Sequence, residues 1–415
     1  MPEQLFVFDR DRLEPLLAGP EASISTPAFV YDLDHAARRF AELRQALPAR
    51  VTVAYAVKSN PGDPLLRTFA KRGAWFDCAS AGEVERVLAA SPHAELVFAG
   101  PAKSYRDLQA AIDAGARVQV DGIEDVARLS AEHDRRDGPD AAPWLINVRV
   151  NPASGVSERA SIIGGAGPSA FGVDEEDLAA FVHRTGNYGG VRIAGVQVFA
   201  ASNELDADVL LANHATAVRI AQTLSEEHGV ELDLIDIGGG LGIPYAETDP
   251  ELDITALGSG LGALLDDHPW FTGDLLLEPG RWLSGPCGVY AARVVRTKVS
   301  RGVAFAMLEG GINHLLRPLM TGQSFPTMAL RPTDDVDDVE VTLAGPLCTS
   351  LDRLGTGQLP ADLRAGDIVV FGQSGAYAYT QAMTHFLSHP PPAQHWLAAT
   401  PSDEPATAGA PGVRR

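Results

Sequence analysis

TVAYAVKSNP, residues 52–61, sets the pattern on which the fold depends. Six β-branched, aromatic and small residues run up to Lys58 with no polar alternation, and Ser59, Asn60 and Pro61 then turn the chain. A strand that does not alternate is buried on both faces, as in a parallel sheet covered by helices. The same shape returns in WFDCA (75–79), LVFA (96–99), RVQV (117–120), WLINVRV (144–150), RIAGVQVF (192–199), LDLIDI (232–237) and DLLLEP (274–279). Helical patterns lie between these runs. LLRTFAKR stops at Gly73, AGEVERVLAA and SYRDLQAAIDAG follow the N-cap candidates Ser80 and Ser104, and VLLANHATAVRIAQTLSEEHG is the longest.

Eight strands alternating with helices over about 230 residues predict a closed (β/α)8 barrel, with an open doubly wound sheet as the alternative. From about residue 283 the rhythm changes. VYAARVVRTKVS, VAFAMLEGG, VEVTLAG and DIVVFG read as strands with few helices between them, so a β-domain (sandwich or barrel) is expected there. The expected division is a barrel over 30–280, a β-domain built from 1–29 and 281–392, and a disordered tail over 393–415, which is rich in Ala, Pro and Gly.

Lys+Arg is 33 against Asp+Glu 54, a formal net charge of −21, which repels nucleic acid and anionic membranes. No apolar run reaches the length of a membrane span, and MPEQLFVFDRDRLEP lacks a signal peptide's basic start and apolar middle. A cytoplasmic protein is expected. Cys78, Cys287 and Cys348 form no CxxC pair, so neither a disulfide framework nor a zinc ribbon is suggested. His385 and His389 stand four apart, but Pro390 follows and no third ligand is evident, so no metal is expected.

In a barrel of this kind chemistry sits at the C-terminal ends of the strands. That rim collects Lys58, Asp77, Arg149, Ser202, Gly238, Gly239 and Gly240, Glu278 and Arg281. Three consecutive glycines let backbone N–H groups approach an anion without obstruction, and Arg281 adds a charged donor; a tight turn without a ligand is the ordinary alternative. A lysine on the same rim as a phosphate site points to a Schiff base with pyridoxal phosphate. Glu278 then faces the pyridine nitrogen, against the alternative of a structural ion pair with Arg281.

The chain resembles the fold-type III pyridoxal-phosphate decarboxylases, the diaminopimelate and ornithine decarboxylase group with an alanine-racemase-like barrel. The matching pieces are TPAFVYDLD (26–34), AYAVKSNP (54–61), FDCASAGEVERVL (76–88), FAGPAKS (98–104), DIGGGLG (236–242), LEPGRWLSG (277–285), GGINHLLRP (310–318), GPLCTSLDRLG (345–355) and SGAYAYT (374–380). The resemblance implies that Lys58 carries the cofactor and that Gly238, Gly239, Gly240, Ser202, Arg281 and Tyr377 hold its phosphate. It implies Glu278 at the ring nitrogen, and Asp77 and Arg149 in support. Cys348 and Asp352 are implied to reach the active site of a partner subunit, so a homodimer with shared sites is expected, with Cys348 as the acid that protonates Cα.

Two departures bear on chemistry. Phe199 stands where relatives carry a histidine stacked on the cofactor ring, and Thr349 stands where they carry an acid that grips the substrate's distal amine. An unpaired ammonium is penalised in such a pocket, which argues against diaminopimelate, ornithine and lysine. The expected substrate is an amino acid or conjugate of a secondary-metabolism or siderophore pathway, with an acyl carrier protein as an expected partner. Arg317 and His314 are candidates to meet its carboxylate or amide, or else they are structural. Diaminopimelate decarboxylation, racemisation and a non-catalytic binding role remain the alternatives. The loop SIIGGAGPSAFGV (161–173) reads as a cover over the rim or as a plain connection.

Overall fold

The computed structural model describes residues 5–153, 168–199, 201–330 and 336–398. The chain divides into two compact units, one holding 39–242 and 252–280, the other 1–38, 243–251 and 281–406. Residues 243–251 therefore leave the barrel segment and join the β-rich unit, which also takes in 281–406.

The first unit is a closed parallel barrel. Its strands are β1 (Val51–Ala56), β2 (Trp75–Cys78), β3 (Leu96–Phe98), β4 (Arg117–Val120), β5 (Trp144–Asn151), β6 (Val191–Gln197), β7 (Leu234–Asp236) and β8 (Asp274–Leu277). Each pairs with the next, and β8 pairs with β1 through Leu275↔Val51, which closes the ring. The two-residue strand Val173–Asp174 pairs with β5 outside the ring. Apolar runs become buried strands because both their faces are covered: Ala54, Val97, Leu234 and Leu276 form one cluster under Trp75. The predicted caps are present. Ser80 accepts from the Glu83 N–H ahead of Ala81–Ala90, and Ser104 forms a capping box with Asp107 ahead of Tyr105–Asp113. The longest helix, Ala207–His228, starts at Asp206 and ends at a left-handed Gly229.

The second unit is a mixed sheet. Gly288–Ser300 is its spine: one half pairs with Ala28–Asp32 and Ile368–Phe371, and beyond a register shift at Val294/Arg296 the other half pairs with Val303–Leu308. The core of its buried half contains Phe8, Leu13, Val30, Val289, Ile368 and Val370. Two elements differ from expectation. The N-terminal segment forms a helix, Arg10–Leu17, capped by Asp9. Ala393–Leu397, placed by its composition in a disordered tail, is a strand parallel to Ala28–Asp32. Its order comes from backbone pairing and from Trp396, whose ring stacks on Tyr31 at 4.1 Å between centroids. The end of the predicted tail, and most of the loop at 161–173, lie outside the described residues. No helix among the described residues is long and apolar enough to cross a membrane.

His214, inside the longest helix, is fully enclosed, and burial pushes its pKa down to about 4. The unfolded ring titrates near 6.5, so the unfolded chain binds this proton more readily than the folded one. The neutral ring costs nothing above pH 6.5, and stability falls as pH drops from there toward 4, by up to about 3 kcal/mol. Urea titrations across that window should show a shallower acid loss in His214→Leu than in the wild type. Equal slopes would contradict this account.

Candidate active site

Lys58 lies in a one-turn 3-10 helix, Val57–Ser59, that begins as β1 ends. Buried hydroxyls fix that turn. Ser59 donates to the Ala56 carbonyl at 2.7 Å and lies 2.9 Å from the Tyr55 hydroxyl, which donates to the Asn60 carbonyl at 3.0 Å. The Lys58 side chain stays 37% accessible, and its Nζ donates to Asp77 Oδ2 at 2.5 Å. Asp77 is buried on β2, and its Oδ1 has no hydrogen-bond partner. Glu83 sits close by and accepts the Ala79 N–H at 2.7 Å; burial, with Asp77 adding to it, pushes its carboxyl up.

β8 joins this turn to the glycine loop. The Ala56 N–H donates to the Pro279 carbonyl at 3.2 Å on one side, and the Glu278 N–H donates to the Gly238 carbonyl at 2.7 Å on the other. A Cβ on Gly239 would run into the Glu278 carbonyl oxygen, and Gly240 has φ +91°. Only glycine allows strand and loop this close. The loop after β6 is tied to the same place, since the Glu204 N–H donates to the Gly240 carbonyl at 2.9 Å and the Gly242 N–H to the Glu204 carbonyl at 2.8 Å. Ser202 and Phe199 ride on that loop, and Phe199 lies against Gly238. Among the described residues the Gly239 and Gly240 N–H groups donate to no acceptor.

Under the loop lie polar groups inside the barrel. Gln119 on β4 donates to Asp236 Oδ2 and, at 3.3 Å, to Glu278 Oε1. Gln197 on β6 donates to Glu278 Oε2 at 3.5 Å. Burial raises both acids, and for Asp236 the neighbouring Glu278 charge adds to it. Arg149 lies over the Phe171 ring at 4.4 Å, near the end of β5.

The remaining candidates fall in the β-rich unit. Arg281 donates to the Tyr245 hydroxyl at 2.8 Å and lies 4.6 Å from the Tyr377 ring centroid. Arg317 stacks on the other ring contact of Tyr245 at 4.4 Å and donates to Gln323 at 2.7 Å, while its buried Nε has no partner. Among the described residues the hydrogen-bond and ring partners of these two guanidiniums are neutral, while the Arg281 charge acts on Arg317. His314 is held by the Tyr290 hydroxyl at 2.7 Å, and burial pushes its pKa down to about 4, so the ring carries no charge at neutral pH to offer a carboxylate. Asp352 also differs from its expected task. It is 3% exposed, and its two oxygens accept the Ile312 N–H at 2.8 Å and the Leu347 N–H at 2.6 Å. Those bonds make it the tie between the GGIN and GPLC loops rather than a side chain free for substrate. Cys348 is exposed, and Thr349 Oγ1 accepts the Leu351 N–H at 3.2 Å.

Asp236, Gln119, Gln197, Glu83 and Tyr245 are missing from the sequence-based candidates. A signal existed for three of them: Asp236, Gln119 and Gln197 are polar residues with an apolar residue on either side within the strand runs. Among the described residues no cluster of His, Cys, Asp and Glu suits a metal ion.

Residues 33–285, more than half of the chain, match the family model described as pyridoxal-dependent decarboxylase, pyridoxal binding domain. A diaminopimelate decarboxylase of Deinococcus radiodurans is 32% identical over 372 residues, covering 89% of either chain. The L-glutamyl-[BtrI acyl-carrier protein] decarboxylase of Niallia circulans is 28% identical over 383 residues, covering 88% of this chain and 87% of the relative. A crystal structure of diaminopimelate decarboxylase is similar with a TM-score of 0.81 at 26% identity, covering 95% of this chain and 94% of the other.

Gly239→Ala should cost at least about 2 kcal/mol, because backbone cannot yield as a flexible side chain would. Gly240→Ala should cost about 1 kcal/mol or more through its left-handed backbone. Denaturant midpoints check both, and a neutral Gly239→Ala would contradict the close approach of loop and strand.

Proposed function

Because the chain belongs to the pyridoxal-dependent decarboxylases, we propose that it removes the α-carboxyl group of an amino acid whose side chain ends in a carboxylate, an amide or an acyl link to a carrier. What supports the reading is the meeting of Lys58, the glycine loop and Glu278 along the seam of β1, β8 and β7. The groups present suit the cofactor. Among the described residues the Gly239 and Gly240 N–H groups have no acceptor and suit a phosphate, and a buried acid at Glu278 favours a cationic ring nitrogen over a neutral one.

When bound, pyridoxal phosphate supplies an aromatic ring that accepts the electrons of the breaking Cα–carboxylate bond. Lys58 would anchor the cofactor's aldehyde carbon; its Nζ donates to Asp77. Glu278 would hold a proton at the ring nitrogen, keeping positive charge where negative charge develops. Gly238, Gly239, Gly240, Ser202, Arg281 and Tyr377 would hold the phosphate. Phe199 would cover the ring face without any proton to donate, and Arg149, stacked on Phe171, would border the site. Cys348, reaching across a homodimer interface, gives a proton to Cα.

The substrate class follows from two residues. Thr349 offers a neutral oxygen, so a distal ammonium gains no ion pair there. Arg317 is a buried cation touched by neutral groups, which favours an anionic or strongly accepting substrate end. The relative that acts on a carrier-bound glutamyl group supports a tethered substrate and an acyl carrier protein as partner. Diaminopimelate, the substrate named for other relatives, is the competing reading.

Carbon dioxide release and mass loss over free and carrier-loaded amino acids should favour substrates with an anionic or acylated end, and diaminopimelate as the best substrate would overturn the Thr349 argument. Lys58→Ala should lose both turnover and the visible absorption of bound cofactor. Arg317→Ala should raise KM by about 10- to 100-fold while kcat changes little, the sign of lost ground-state binding.

A further inference from the structure

Both buried arginines of the β-rich unit rest on one tyrosine. The Tyr245 hydroxyl accepts from Arg281 Nη1 at 2.8 Å. Its ring centroid lies 5.9 Å from the Arg281 guanidinium carbon and 4.4 Å from that of Arg317. The tyrosine is itself held fast. It is 3% exposed, and the Phe325 ring packs edge-on against it at 5.6 Å between centroids. Asp249 Oδ2 accepts the Tyr245 and Ala246 N–H groups, each at 2.9 Å.

We propose that Tyr245 is a positioning residue whose hydroxyl holds Arg281 and whose ring holds Arg317, so that both guanidiniums stay in place with their charge left for incoming anions. Two buried cations this close disfavour each other, and the Arg281 charge acts on Arg317. Left to itself, each would turn toward a carboxylate or toward water. A carboxylate at position 245 would hold either one more firmly, but it would cancel the charge that an anionic ligand needs. A tyrosine holds a guanidinium by a hydroxyl lone pair and by its π face and cancels nothing.

The two arginines depend on Tyr245 unequally. Arg281 has a second aromatic contact, the Tyr377 ring at 4.6 Å. Among the described residues Arg317 has only the Tyr245 ring and the Gln323 side chain, and its buried Nε has no partner. Removing the hydroxyl therefore acts on Arg281, and removing the ring acts most on Arg317. The effect on binding rests on the proposed tasks of Arg281 at the cofactor phosphate and Arg317 at the substrate's acidic end, whereas the hold on the two side chains does not.

Two variants separate these holds, studied by crystal structures of the holoenzyme, by titration with pyridoxal phosphate followed in the visible, and by binding of glutarate, an amine-free dicarboxylate. Tyr245→Phe should leave Arg317 in place and glutarate affinity within about two-fold, while affinity for pyridoxal phosphate falls about ten-fold. Tyr245→Leu should displace Arg317 as well and weaken glutarate binding by about ten-fold or more. A residue that merely supported the fold would lower both affinities alike in the two variants. Arg317 unmoved in Tyr245→Leu, or cofactor affinity unchanged in Tyr245→Phe, would overturn the proposal; the second outcome decides even if Tyr245→Leu fails to fold. A wild type that binds no glutarate, with Arg317 displaced in Tyr245→Leu, would count against the acidic substrate end alone. Arg281→Ala with full cofactor affinity would count against the phosphate assignment instead.

Discussion

The pairing of Asp274–Leu277 with Val51–Ala56 on one side and Leu234–Asp236 on the other is the constraint that the rest of the site depends on. It closes the barrel, and it also sets the order of functional groups along the rim. Lys58 leaves the first strand, the glycines leave the seventh, and Glu278 leaves the strand between them. Because all three strands are parallel, their C-terminal ends open on the same rim, with β1 running three residues past Val53, the partner of Leu277. Residues more than 200 positions apart in the chain thereby become neighbours with no loop reaching across. The glycines matter for the same reason: the loop after β7 lies against the Glu278 backbone at a distance that excludes a side chain.

Charge inside the barrel is the second constraint. The acids Asp77, Asp236 and Glu278 face one another with Lys58 in a setting where each uncompensated charge is expensive. The neutral donors Gln119, Gln197 and Gly238 N–H divide that cost. In the β-rich unit the imbalance is reversed, with Arg281 and Arg317 touched by tyrosines and a glutamine. The two units thus carry opposite local imbalances within a chain whose overall charge is −21.

Much of this was legible in the chain. The eight apolar runs, the serine caps at Ser80 and Ser104, and the shift to strand-rich sequence after residue 283 all report local physics: burial on both faces, satisfied helix ends, and alternation. Lys58, the triple glycine and Glu278 stood out because each directly follows such a run. Less could be read where structure depends on distant partners. Ala393–Leu397 looks like tail by composition and becomes a strand only because Ala28–Asp32 lies alongside it. Residues 243–251 read as barrel connection, yet they carry Tyr245 to Arg281 and Arg317.

The sequence by itself determined the strand and helix order and the closed parallel barrel, since hydrophobic period and turn chemistry are local quantities. Tertiary structure alone decided what several of those residues do. Asp352, read as a group reaching for substrate, spends its oxygens on the backbone of two loops, and His314 is neutral through burial. Asp236, one acid among apolar neighbours in sequence, meets its donor Gln119 only once the barrel strands pair. Hydrogen-bond partners and desolvation are properties of three-dimensional surroundings, and no window of sequence contains them.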